Sequence, residues 1–175
     1  MNLFVIGNQK ESAQALDDRR LVKMTVETLQ LFAYAMNNLE ISDSFYPISK
    51  ETGLPYKSKN SHTKHPVTLW LQKSVGNFDW MFIYLQEMMA EYEHRFNKPS
   101  FVDPINLERI QSARGLWPVG QLTPFANCSL HQDIEDTLVA YKKTLVDKWK
   151  KGELSTKTIP RWTKRGRPNF ELTSC

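Results

Sequence analysis

The chain has 175 residues, of which 41% are apolar and 24% charged, and its net charge is +4. That length and apolar content suit one domain over residues 1–175, because two halves would each be short of core. No stretch approaches the roughly 18 apolar residues of a membrane-spanning helix. The opening Met1–Gly7 has neither the basic nor the long apolar region of a signal peptide. A soluble protein that stays in the cytoplasm is therefore expected, without a membrane partner. Cys128 and Cys175 form no disulfide framework and no metal-binding spacing, which agrees with a reducing compartment.

The charge is unevenly placed. Between Lys148 and Arg167, eight Lys and Arg residues stand against Glu153 alone, a surplus of seven, while the chain before Lys148 is slightly acidic. An end so basic is expected to meet phosphate, a solvated tail being the alternative.

In chain order, Met1–Ile6 has the pattern of a short extended piece, and Gly7-Asn8 that of a turn. Val22, Val26, Leu29, Ala33 and Met36 recur at helical spacing and predict a helix over 15–37 with these residues inward. Residues 41–64 are rich in Pro, Gly, Ser and Lys and form a long loop, the kind that often carries function. Pro66 suits a first helical turn. The helical pattern over 67–96 is expected to divide at Gly76-Asn77, with Asn77 as a cap. A short helix over 105–113 and a Gly/Pro/aromatic loop over 115–127 follow. Ser129 and Gln132 have capping-box spacing and predict a last helix over 129–151, with Ile134, Leu138, Tyr141, Leu145 and Trp149 inward. Residues from about 152 to 175 form an irregular basic tail. The sum is an all-α, single-domain helical bundle with long loops.

The polar side of the first helix holds the first candidate site. Arg20, Lys23, Glu27 and Gln30 are spaced to share one stripe. A carboxylate among cations there can orient a cationic reactant, although a salt-bridged solvent face has the same spacing. His62 and His65 lack the further ligands of a zinc site, so neither a metal nor another cofactor is expected. Trp162, among Arg161, Lys164 and Arg165, has two readings. It stacks on a base, or it pins the tail to the core.

The stretch Asp18-Arg19-Arg20-Leu21-Val22-Lys23-Met24-Thr25-Val26-Glu27 resembles a phage and bacterial family that opens with M-N-x-F and continues D-K-H-V-V-K-M-x-x-E. His65-Pro66 with Trp70, Asn77 with Trp80, Glu91-Tyr92 with Arg95, and Thr123–Ala126 extend the resemblance. More remotely, the layout is similar to the pyrimidine-dimer DNA glycosylases of the endonuclease V type. Their catalytic glutamate falls on Glu27, and their basic P-x-W-x-K segment on Pro160–Lys164. Arg20 stands where that pattern has histidine.

The resemblance implies that an N-terminal amine attacks sugar C1′ and displaces the base, with glutamate supporting cleavage and β-elimination. Asn2 is large enough to hinder removal of the initiator methionine, so the amine would be that of Met1. An α-amine, with a pKa of about 8, is partly neutral near physiological pH. Glu27 and Met1 are then the expected catalytic pair. Asp18, Arg20, Lys23, His65, Asn77, Arg95, Arg161, Trp162 and Lys164 are the expected contacts to substrate or nucleic acid.

Three readings follow. The first is a DNA glycosylase, with or without lyase activity, acting on a damaged or modified pyrimidine in host cytoplasm if the gene is a phage's. The second is group transfer on a modified base or nucleotide. The third is a protein that binds a nucleotide ligand or nucleic acid without turnover.

Overall fold

The computed structural model describes residues 3–56, 60–155 and 158–170. Met1, the expected amine nucleophile, and Cys175 lie outside them. The architecture is all-α: α1 Gln9–Ala15, α2 Asp18–Asn38, α3 Asn60–Thr63, α4 Pro66–Leu71, α5 Val75–Phe96, α6 Pro104–Ser112 and α7 Thr137–Glu153. Short 3-10 turns stand at 43–45 and 114–116. Among the described residues there is no strand, only an isolated bridge between Ile48 and Pro55. No helix among them is long and apolar enough to cross a membrane.

The helix predicted over 15–37 is α2, which starts at Asp18, and a short helix that was not expected, α1, precedes it. Asn8, expected only as a turn residue, caps α1. Its side chain accepts from Glu11 N, and the Glu11 carboxylate accepts from Asn8 N, both at 2.9 Å. Asp17 then caps α2. The inward face of α2 is also rotated from the valine stripe, and Val22 is 37% exposed. Leu21, Met24, Thr25 and Thr28 are buried there together with the expected Leu29, and Thr25 satisfies its hydroxyl internally by donating to Leu21 O at 2.8 Å. From Leu31 to Met36 the helix is buried all round.

Helix α2 packs on α5 and on α4. Phe32 meets Phe78 edge-on, with centroids 5.3 Å apart.

The break between α4 and α5 falls at residues 72–74, and Ser74 rather than Asn77 is the cap. Gly76 and Asn77 serve the neighbouring loop. A Cβ on Gly76 would lie 2.3 Å from Leu122 N, so only glycine admits that backbone. Asn77 is fully buried. It donates to Trp70 O at 2.6 Å and to Thr123 Oγ1 at 2.8 Å, and it accepts from Thr123 N at 2.8 Å.

The last helix begins eight residues later than expected, at Thr137. Asp136 caps it by accepting from Leu138 N and Val139 N. Ser129 instead accepts from His131 N in a tight turn. The segment from Cys128 lies along α7, with Cys128 N donating to Tyr141 Oη at 3.1 Å and Leu130 N to Thr144 Oγ1 at 2.9 Å. Tyr141, Leu145 and Trp149 face inward as expected, whereas Ile134 lies outside the helix.

The basic tail folds back on the bundle. Trp162 donates from Nε1 to Ala15 O at 3.1 Å and meets Trp149 edge-on at 5.0 Å. Arg165 pairs with Glu91, and Arg167 pairs with Glu153 while lying over the rings of Trp149 and Trp162. Lys164 donates to His94 O and to the Asn97 side chain, closing the C-terminus of α5.

Candidate functional site

A cleft of about 800 Å³ opens between the first turns of α2 and the last turns of α7. From α2 and its cap come Asp17, Arg19, Arg20, Lys23 and Glu27, and from α7 come Lys148 and Lys151. Phe4, Met24, Cys128 and Leu130 supply apolar wall, and the chain returning past Gly152 to Thr158 closes one side. A Cβ on Gly152 would meet Thr158 O at 2.7 Å, so that return depends on glycine. Five cations against two carboxylates make the cleft basic.

Its parts hold one another in place. Asp17 caps Arg20 N and also pairs with the Arg20 guanidinium. The other arm of Arg20 reaches Lys148 O at 3.5 Å, joining the start of α2 to the end of α7. Glu27 lies 3.4 Å from Lys23. Its side chain is 16% exposed against 66% for Lys23, so the carboxylate is recessed and the cation reaches out. Lys148 is half-buried. Burial, then the charges of Arg20, Lys23 and Lys151, hold its amine below the ordinary lysine value.

Beyond Glu27, the His62 ring nitrogen lies 3.4 Å from Tyr34 Oη. His65 caps α4 by accepting from Val67 N at 3.2 Å. Burial pushes the Tyr34 phenol up, and the Glu27 charge adds to this. Burial pushes His65 down, partly opposed by Glu27. Among the described residues, no group of three His, Cys, Asp or Glu side chains is placed to hold a metal ion.

Of the residues expected from sequence, Glu27, Arg20 and Lys23 come together in the cleft. Asp18, Asn77 and Arg95 are engaged inside the fold. Arg95, 1% exposed, donates to Glu91, Asp18, Leu16 O and Gln14 O. Asp18 also accepts from Thr163 N and Oγ1. Of the two readings of Trp162, its contacts are those of a pin, and Lys164 is bound to α5. Arg161 is exposed, and its carbonyl accepts from Asp18 N at 2.8 Å.

Arg19, Lys148 and Lys151 were missed as site residues. The signal was present, since Lys148 and Lys151 are three apart and share a face once α7 runs to Glu153. Both fall in the helix expected over 129–151 and in the basic run that begins at Lys148.

Among curated proteins and among solved structures nothing matches the chain. The family described as pyrimidine dimer DNA glycosylase matches residues 1–102, which include the whole α2 side of the cleft but not the α7 side. That match spans more than half of the sequence, and the chain belongs to the pyrimidine dimer DNA glycosylase family.

Proposed function

We propose that the protein is a DNA glycosylase that removes a damaged or modified pyrimidine through Glu27 and the α-amine of Met1. The observation that carries this reading is the recessed carboxylate of Glu27 in a cleft lined by five cations. The cations suit the phosphates that flank a target nucleotide, and the cleft has room for a base taken out of the stack. The amine attacks C1′ as the C1′–N bond breaks, and the base leaves with the bonding electrons. Glu27 stabilises the developing positive charge on the sugar. The attached amine loses a proton, the C1′–O4′ bond opens with its electrons going to O4′, which is protonated, and an iminium forms at C1′. Glu27 then accepts the C2′ proton, and the 3′ phosphate departs by β-elimination. Phe4, on the cleft wall, is three residues from Met1 in sequence, which keeps the amine within about 11 Å of the Phe4 Cα.

The test is incubation of the purified protein with oligonucleotides carrying a pyrimidine dimer, a hypermodified pyrimidine or an abasic site, with borohydride present. Base release and a reduced adduct on Met1 support the reading. Binding without release or adduct would remove it and favour a binding protein.

A further inference from the structure

We propose that Lys148 is a second amine nucleophile in the cleft, able to form an imine with the ring-opened C1′ aldehyde left when a base has been removed. The inference rests on the glycosylase reading and adds to it a residue from the α7 wall, outside the part of the chain that the family matches.

Three described lysines line the cleft. Lys23 is 66% exposed and paired with Glu27, and Lys151 is exposed. Lys148 is half-buried, and its backbone is tied through Arg20 to the helix that carries Glu27. The charged groups around it are Arg20 and Lys23 from α2 and Lys151 from its own helix, all cationic. The nearby carboxylates are already engaged, Asp17 with Arg20 and Glu27 with Lys23. A lysine among cations in a partly desolvated wall gives up its proton more readily than one in water, and the neutral amine is the form that attacks a carbonyl.

The step balances. Lys148 Nζ adds to C1′ of the aldehyde, and the carbinolamine loses water to give the imine. Glu27 takes the C2′ proton, the C3′–O bond breaks, and the 3′ phosphate leaves with the electron pair. Water then returns the amine. Arginine stays protonated and cannot do this, but it keeps the positive charge. Lys148→Arg therefore separates a nucleophile from a phosphate contact.

The experiment uses full-length protein carrying two extra residues ahead of Met1, which removes the Met1 α-amine. It is mixed with an abasic-site oligonucleotide and borohydride, and the adduct is located by peptide mass spectrometry. The expected result is an adduct on Lys148 that Lys148→Arg abolishes in that background while DNA binding persists. Lys151→Gln, which removes one neighbouring cation, should move the half-maximal pH of trapping upward. An extended protein with no Lys148 adduct, beside a native protein trapped through Met1, would overturn the proposal and leave the glycosylase reading standing. Absence of base release and of adduct in both forms would overturn both.

Discussion

Arg165 donates two hydrogen bonds, of 2.7 and 2.8 Å, to the carboxylate of Glu91, and Arg95 donates a third, of 2.7 Å, to the Oε1 that Arg165 Nε also reaches. Burial alone would raise the Glu91 pKa, but the hydrogen bonds from Arg165 and Arg95 outweigh it and leave the carboxyl below its ordinary value of 4.5. A carboxyl depressed by folding contributes stability above its unfolded pKa, and that contribution is lost as pH falls through the folded value. Stability should therefore be level with respect to this group above about pH 5 and fall below it. Glu91→Gln should lower stability at neutral pH by about 3 kcal/mol, because Arg95 is left buried with a weaker partner. It should also flatten the acid limb. Denaturant melts between pH 3 and 7 read both.

Glu27→Gln should reduce base release by at least about 100-fold, the scale of a lost general acid–base group. Because its ion-pair partner Lys23 is 66% exposed, the cost in stability should be about 1 kcal/mol or less. DNA affinity should change little. Single-turnover assays beside thermal melts check this, and a folded variant with full activity would remove Glu27 from the chemistry.

Salt dependence should follow the cleft rather than the tail. Lys164, Arg165 and Arg167 already have partners within the protein, whereas Lys148 and Lys151 line the cleft. Lys151→Gln and Lys148→Gln should each reduce the slope of log affinity against log salt by about 1. Arg167→Gln should leave that slope unchanged. Titrations at several salt concentrations give it directly.

Asn77→Ala should cost about 1–3 kcal/mol, since it leaves the Thr123 backbone N–H without its buried partner. The loop around Thr123 should loosen first. Amide exchange at Thr123 should rise more than at the centre of α5.

The helices were legible where apolar periodicity was unbroken, as in α5 and in the inward face of α7. Periodicity failed on α2 because a threonine can be buried once its hydroxyl bonds its own backbone, and Thr25 carries no apolar signal. Capping residues misled at Ser129, where the same side chain closes a turn equally well. Glu27, Arg20 and Lys23 could be grouped from spacing alone, being on one helix. Lys148 and Lys151 could be grouped with each other by spacing but not with Glu27, because only the packing of α7 against Arg20 brings them to α2. Arg95 has the residue type of a phosphate contact and Asp18 that of a polar substrate contact, yet each forms bonds to a segment distant in sequence.

The fold-back of the tail has a consequence for how the protein is made. Trp162 reaches Ala15 across 147 positions, and Thr163 and Arg165 complete the bonding of Asp18 and Glu91. A chain emerging from the ribosome therefore carries α1, α2 and α5 for most of its synthesis before these partners exist. Contacts of such long sequence separation form late and slow folding. Until then the Trp149 surface that Trp162 covers is open to solvent and to neighbouring nascent chains. Emergence of Trp162, Thr163 and Arg165 is thus the event that seals the bundle.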